Sequence, residues 1–231
     1  MGYALTWLAV RGIDEHGLFK AMGLYKTNRK TADFPQKSDL VGCVLENGWY
    51  LVISGECEDS LLSGNKSLAK LTANCEAIVC SIEEHVMFSE CARWLNGRKS
   101  WAVSHSGEEG DTHIKKIGRP PQSYEEHKRA LLAKQQEEGG GGTDYVFDLP
   151  VILAEEIVGF RHDAMSSSYN GQFDVLRLHP WQRYKRAISS PELIIKLIFF
   201  PFLAVALLIS PFVQLIVYLR RLLRHVTPNK H

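Results

Sequence analysis

The stretch HVMFSECARWLNGRKSWAVSHS, residues 85–106, contains two runs of alternating apolar residues separated by Asn96-Gly97. Asn-Gly between two such runs is the strongest short-range signal for a β-hairpin, because both residues tolerate the positive φ of a tight turn. A two-residue turn there pairs positions whose numbers sum to 193. One face of the hairpin would then carry the apolar residues Val86, Phe88, Ala92, Trp94, Trp101 and Val103. The stretch therefore predicts a hairpin with one core face.

Glu90 and His105 fall on that same predicted face, as diagonal neighbours within reach of each other. Two ionisable groups on an apolar face need a partner or a purpose, because burying a charge without compensation is costly. We expect either a structural pair at the margin of the sheet or the acid and base of a functional pocket. Glu90 and His105 are the first candidate catalytic residues.

The preceding residues predict the rest of the sheet. Residues 3–10 alternate as a strand, and residues 12–24 have helical spacing that ends at Gly23. Asn47-Gly48 marks a further hairpin, before a broken helix and a buried strand over residues 76–84. The resulting order β-α-β-β-α-β is that of a ferredoxin-like split unit. We therefore predict an α+β fold with an antiparallel sheet, extended by the 85–106 hairpin and by helices, and followed by a C-terminal transmembrane helix.

The adjacent His162 and Asp163 are the second candidate site. Such a pair occurs in metal-dependent phosphohydrolases, but that chemistry needs further His and Asp ligands that the sequence does not assign. The alternative is that both are polar residues between a helix and a linker. Cys75, Cys80 and Cys91 lack the spacing of structural zinc ligands, because Cys80 falls inside an apolar strand. We expect no metal and no cofactor.

Residues 197–219 are a run of 23 residues without a charge. At 1.5 Å per residue, such a helix would be roughly 34 Å long, which is enough to cross a bilayer core of about 30 Å. Basic and aromatic residues, which are typical of a membrane interface, flank the run. They are Trp181, Arg183, Tyr184, Lys185, Arg186, Arg220 and Arg221. Residues 193–221 are therefore predicted to be a membrane anchor.

Pro201 and Pro211 leave the path of that anchor open. Each proline removes a helical hydrogen bond and can bend the segment. The anchor is either a single span or a re-entrant hairpin whose two basic ends lie on the same side of the bilayer. Basic flanks at both ends give the positive-inside rule no clear direction.

The charge is divided along the chain. Residues 1–176 contain 18 Lys and Arg against 25 Asp and Glu, whereas the remaining residues contain 9 against 1. The head is therefore acidic, which disfavours nucleic acid as a partner. We divide the chain into an α+β head (1–160), a polar then basic juxtamembrane linker (161–190), the anchor (193–221) and a basic tail (222–231).

The head is expected in the cytoplasm. Five cysteines without a disulfide framework suggest a reducing environment, and the first residues lack the pattern of a signal peptide. Gly2 and Thr6 fit the short myristoylation pattern, although the same residues fit the start of the first strand. We expect contact with the bilayer through the C-terminal segment.

Neither a phosphate-binding loop nor a serine nucleophile elbow is present in the sequence. The layout instead favours a membrane-anchored interaction module of the inhibitor, immunity or adaptor type, whose acidic head binds a protein. The alternative is a membrane-associated hydrolase that uses Glu90 with His105, or His162 with Asp163.

We predict that the full chain behaves as an integral membrane protein, because of the uncharged run 197–219. Membranes from expressing cells should retain the protein after an alkaline-carbonate wash and release it into detergent. A peripheral protein of the same membranes is the control for the wash. Recovery of the chain in the carbonate supernatant would disprove the anchor.

Overall fold

The computed structural model describes residues 2–37, 39–138, 142–164 and 171–182. The strands are β1 (Ala4–Arg11), β2 (Leu24–Thr31), β3 (Leu40–Val44), β4 (Tyr50–Ser54), β5 (Glu76–Glu83), β6 (Phe88–Leu95), β7 (Arg98–Ser106), β8 (Lys115–Gly118) and β9 (Phe173–Leu178). The α-helices are α1 (Glu15–Met22), α2 (Ser60–Ser63), α3 (Asn65–Leu71), α4 (Tyr124–Glu137) and α5 (Asp148–Val158). The predicted anchor and basic tail lie outside the described residues. Within the described part of the chain, no helix is long and apolar enough to cross a bilayer.

The strands form one antiparallel sheet in the order β2-β9-β3-β4-β1-β5-β6-β7-β8. This confirms the predicted α+β class and antiparallel sheet. Both predicted Asn-Gly turns connect neighbouring strands, β3 to β4 and β6 to β7. The opening differs from the prediction, because the additional strand β2 follows α1.

Strands β2 and β9 were missed because neither has the apolar alternation of a half-buried strand. The sequence of β2 is LYKTNRKT, and β9 lies inside the segment that was predicted to be a linker. Nevertheless, β9 pairs with β2 on one side and β3 on the other. The compact unit that contains the sheet extends to Leu178.

Both faces of the sheet are buried by helices. One face, here called the α5 face, carries Trp7, Trp49 and Trp101 and packs against α5. The opposite face, called the α3 face, carries apolar residues such as Leu8 and Val52 and packs against α1, α2 and α3. Burial on two sides explains why the central strands are nearly continuous apolar runs.

The two edge strands are built to resist pairing with other strands. Strand β2 has an irregular register between Lys26 and Lys30, where Asn28 adopts φ 58°. Strand β8 has four residues, all of them exposed, and begins with Lys115 and Lys116. Lysines, bulges and short length are the usual devices that keep a sheet edge from extending.

Helix α4 is attached to α5 through Glu156. Ser123 Oγ donates a hydrogen bond to Glu156 Oε2 at 2.6 Å, and His127 Nε2 lies 2.6 Å from Glu156 Oε1. Burial would raise the pKa of Glu156, but the hydrogen bonds from Ser123 and His127 and the charge of His127 lower that pKa below its ordinary value of 4.5. A carboxylate with a lowered folded-state pKa stabilises the fold above its ordinary pKa and loses that contribution as the pH falls through the lowered value.

We therefore expect Glu156→Gln to lower the thermal midpoint of unfolding at pH 7, and the difference from the wild type to shrink at pH values well below 4.5. Scanning calorimetry of the full chain at several pH values measures this difference. Glu126→Gln is the matched control, because Glu126 is an exposed residue of the adjoining helix α4. An equal destabilisation at pH 7 and pH 3 would contradict the role of the carboxylate charge.

Candidate functional site

The register of the β6–β7 hairpin decides where the first candidate residues lie. Asn96 and Gly97 form the turn with φ values of 52° and 71°, and Leu95 pairs with Arg98 as predicted. The register then shifts, so that Arg93 pairs with Trp101 and Ser100 is the extra residue. An extra residue on one strand is a β-bulge, which reverses the face reached by every side chain beyond it.

Glu90 and His105 consequently lie on opposite faces of the sheet. Beyond the bulge, Glu90 pairs with Ser104, while His105 pairs with Ser89. His105 is on the α5 face together with Trp101, whereas Glu90 is on the α3 face with Trp94. The prediction that Glu90 and His105 form a pair is therefore wrong. An Asn-Gly turn sets the register only as far as the first irregularity.

Gly118 of β8 explains how this bulge is accommodated. A Cβ atom at Gly118 would lie 2.2 Å from the carbonyl oxygen of Ser100, which is closer than any side chain permits. Gly118 also adopts φ 68°, a conformation that favours glycine. The neighbouring strand therefore leaves room for the extra residue only because glycine stands at this position.

His105 is closed off from solvent by two short contacts. Its side chain is fully buried, its Nε2 lies 2.7 Å from Asp144 Oδ2, and its Nδ1 lies 2.8 Å from the backbone oxygen of His113. A backbone carbonyl only accepts, so Nδ1 must donate a proton to it. The Asp144 carboxyl group occupies Nε2, so both ring nitrogens have a hydrogen-bond partner. Neither ring nitrogen is available to a substrate.

Asp144 extends this contact to the start of α5. Its Oδ1 accepts a hydrogen bond from the backbone N–H of Phe147 at 3.2 Å. His105 and Asp144 thus connect β7 to the residues that begin α5. Sequence reasoning missed Asp144, because 39 residues separate it from His105 and no local pattern links the two.

The second candidate pair is also held in structural contacts. The Nε2 of His162 lies 3.2 Å from Glu84 Oε1, while its buried Nδ1 has no hydrogen-bond partner and lies 3.9 Å from Asp163 Oδ1. Asp163 accepts two hydrogen bonds from Arg161, at 2.6 and 3.1 Å. Burial would raise the pKa of Asp163, but the Arg161 hydrogen bonds and the nearby positive charges lower it.

The described residues offer no ready ligand set around His162. Among them, no group of three or more His, Cys, Asp or Glu side chains is arranged to hold a metal ion. Cys80 and Cys91 are directly opposite each other on β5 and β6, and both are fully buried. Burial raises the pKa of both thiols, so they pack as small apolar groups.

Glu90 lies instead in a polar cleft on the α3 face. This cleft, here called the Glu90 cleft, has a volume of about 190 Å³ and lies beside α2 and α3. Glu58 and Glu90 line it together with Ser81, and Trp94 forms part of its apolar wall. Lys99 Nζ lies 3.7 Å from Glu90 Oε1 and 5.6 Å from the centre of the Trp94 ring. Glu90 is therefore accessible and partly paired.

A second cleft shares Glu58 with the first. This Glu83 cleft has a volume of about 330 Å³ and is lined by Glu58, Glu83, Glu108 and the apolar residues Val86 and Phe88. Val86 is 44% exposed. Of the described residues that line either cleft, Lys99 is the single cationic one. Two adjoining clefts thus present four carboxylates and one ammonium group.

The pKa of Cys57 is affected by the negative charges of this region. Burial, followed by the carboxylates of Glu58 and Glu83, raises the pKa of the Cys57 thiol to about 12. At neutral pH the group is a thiol and not a thiolate, so it is a poor nucleophile. The Glu83 cleft therefore has acidic walls without an activated cysteine.

A buried hydrogen-bond network holds Glu58 in place. The next residue, Asp59, is 5% exposed, accepts a hydrogen bond from Ser54 Oγ at 2.6 Å and accepts the backbone N–H of Leu61 at 2.8 Å. The backbone N–H of Asp59 donates to Thr6 Oγ1 of β1 at 3.2 Å. Glu58 itself adopts φ 52°, a conformation that is uncommon for a residue with a side chain. The network attaches the start of α2 to the centre of the sheet.

Of the predicted membrane-interface residues, Trp181 is described and is 54% exposed. Arg183, Tyr184, Lys185, Arg186, Arg220 and Arg221 lie outside the described residues. Thr6 of the myristoylation pattern is fully buried in β1 and bonded to Asp59 and Ser81. These contacts give Thr6 a structural role in the first strand.

We expect His105→Ala to lower the free energy of unfolding by about 1–3 kcal/mol, because Asp144 and the His113 carbonyl lose a buried donor. Chemical denaturation of the full chain measures this loss. Ser104→Ala, at the adjacent position on the other face, is the control. Loss of a binding activity without loss of stability would instead assign His105 to a site.

Comparison with models of protein families, with curated proteins and with solved structures finds no match to this chain. The chain's own side chains are therefore the basis for assigning a function. Two features stand out on its surface and in its core: the acidic clefts of the α3 face, and the closed His105–Asp144 pair on the α5 face.

Proposed function

We propose that this chain is a membrane-anchored interaction module whose α+β head binds a protein partner, in the manner of an inhibitor, immunity or adaptor protein. The observation that carries the proposal is the pair of adjoining acidic clefts on the α3 face. The occupant that fits them is a basic, extended segment of the partner, with apolar residues between its positive charges.

Charge complementarity supports this occupant. Glu58, Glu83 and Glu108 surround the Glu83 cleft, and Glu90 extends the acidic surface into the neighbouring cleft. Carboxylates grouped in concave surfaces attract cationic partners and accelerate their association. The net negative charge of residues 1–176 acts in the same direction.

The apolar part of the same surface provides contact area. Val86 is 44% exposed and Phe88 is partly exposed beside it, while Trp94 lines the Glu90 cleft. Aromatic and aliphatic side chains inside a polar rim are the usual composition of a protein-binding surface. A segment that alternates Lys or Arg with apolar residues would use both kinds of group.

The hydrolase alternative has less support. The bulge at Ser100 separates Glu90 from His105, and both nitrogens of His105 are already occupied. Asp163 is paired with Arg161, and Cys57 is protonated at neutral pH. An acid and a base placed together in an accessible cleft are what general acid–base catalysis requires. The described clefts contain carboxylates without a histidine.

Membrane anchorage is supported by the sequence of residues 197–219 and by their basic and aromatic flanks. The free cysteines support a cytoplasmic head. An anchored module meets its partner at the membrane surface, where two tethered proteins encounter each other at a higher effective concentration.

The test is to neutralise the cleft in the full chain in detergent with Glu83→Gln and Glu108→Gln together. A fluorescent decapeptide of alternating Lys and Leu is the probe, and fluorescence anisotropy measures its affinity. Two exposed ion pairs lost should weaken binding by about tenfold, and less at high salt. The matched control is Glu126→Gln with Glu137→Gln, which removes the same charge from exposed positions of α4.

A second measurement tests, in cells, whether a partner contacts the Glu83 cleft. A photo-crosslinking amino acid at Val86 should give one discrete adduct, and the double cleft variant should lose it. Equal weakening of peptide binding by the cleft and control variants, together with the absence of a discrete adduct, would refute the proposed surface.

A further inference from the structure

We propose that the open edge of the sheet at β2 rests on the anionic headgroups of the bilayer that anchors the chain. This inference depends on the anchorage proposed above. The surface, here called the β2 edge, consists of Tyr25, Arg29, Lys30 and Arg177. It comes from strands β2 and β9, neither of which was predicted from the sequence.

Connectivity brings the β2 edge to the place where the chain leaves the sheet. The last residue of β9, Leu178, pairs with Leu24, the first residue of β2. Neighbouring strands are about 4.8 Å apart, so β2 is one strand spacing from the departing chain, whereas β8 is seven spacings or roughly 34 Å away. The residues that follow Leu178 lead to the predicted anchor.

Two acids beside this surface are ion-paired to a single lysine. Lys26 Nζ lies 2.8 Å from Glu15 Oε2 and 2.8 Å from Asp174 Oδ2, so one lysine bridges both carboxylates. Arg29, Lys30 and Arg177 are exposed. Within the described part of the chain, none of these three forms an ion pair with an acidic side chain. These three positive charges therefore exceed the single net negative charge that remains on the group of Glu15, Lys26 and Asp174.

An aromatic residue accompanies these charges. Tyr25 is 36% exposed and is directly opposite Arg177 on the neighbouring strand. Amphipathic aromatic rings beside Lys and Arg are typical of surfaces at the level of lipid headgroups. The β2 edge therefore has the composition of a membrane-facing surface as well as its charge.

The form of the edge disfavours a second protein strand as the occupant. The irregular register between Lys26 and Lys30 and the positive φ of Asn28 interrupt the row of backbone groups that strand pairing needs. A lipid surface does not need that regular row, because it recognises charge. Anionic headgroups near juxtamembrane cations attract each Lys or Arg independently.

The opposite edge is the natural comparison. Strand β8 also carries two exposed lysines, Lys115 and Lys116. However, Lys116 Nζ lies 3.7 Å from Glu125 Oε1, and it is also 5.1 Å from the centre of the Tyr124 ring. The two edges both carry exposed cations, but they differ in the ion pair of Lys116 and in their distance from the departing chain.

Hydrogen exchange of the full chain in lipid nanodiscs tests the inference. The discs contain either phosphatidylcholine alone or phosphatidylcholine with about 30% phosphatidylserine. Amides of β2 should exchange at least about fivefold more slowly in the anionic discs, and the difference should vanish in about 0.5 M salt. Amides of β8 should exchange equally in both kinds of disc.

Charge-neutralising variants complete the test. Arg29→Gln with Lys30→Gln should abolish the lipid-dependent protection of β2, whereas Lys115→Gln with Lys116→Gln should retain it. Unfolding midpoints close to that of the wild type show that both variants are folded. Equal exchange of β2 in both discs, or loss of protection in the β8 variant alone, would overturn the inference.

The two proposals, membrane anchorage and the contact of the β2 edge with lipid, fail with different results. A chain that carbonate releases from membranes, and that does not remain with the discs, would overturn both proposals. A chain that stays in the discs but shows no effect of phosphatidylserine on β2 would overturn the β2 edge alone.

Discussion

The extra residue at Ser100 determines which face of the sheet each side chain of β7 reaches. Because of it, His105 lies among the buried residues of the α5 face, and Glu90 remains on the α3 face beside Trp94. Without the bulge, a buried histidine would lie among the residues of the acidic clefts. The bulge in turn depends on Gly118, since a side chain at position 118 would collide with the Ser100 carbonyl. One glycine on an edge strand thus supports the separation of a closed core pair from an open acidic surface.

Polar groups that lie under the helices divide into two kinds. Asp59, Ser54 and Thr6 satisfy one another and position the start of α2, so their burial is compensated by hydrogen bonds. Glu58, the residue before Asp59, projects into the clefts from this rigid base. A carboxylate held on a rigid base loses less conformational freedom when a partner binds, which favours affinity.

The sheet order relates the two proposed surfaces. Strands β5 and β6 line the acidic clefts, and the nearer of the two, β5, is separated from β2 by the four strands β9, β3, β4 and β1. At about 4.8 Å per spacing, β5 is roughly 24 Å from β2 along the sheet. A head that contacts lipid through the β2 edge would therefore hold the acidic clefts away from the anionic surface. At a shorter distance, the carboxylates of the clefts and the anionic headgroups would repel each other.

The sequence by itself determined the α+β class, both Asn-Gly turns, the uncharged run at residues 197–219 and the division of charge. Each of these depends on neighbouring residues: turn preference, periodicity or local composition. The partnership of His105 with Asp144, the insertion of β9 between β2 and β3, and the acidic clefts were decided only by the tertiary structure. They join residues far apart in the chain. The positions of His105 and of Glu90 in the clefts also depend on the register shift at Ser100, which no local pattern encodes. Polar strands such as β2 form because paired neighbours satisfy their backbone groups, and a single sequence does not show which neighbours are present.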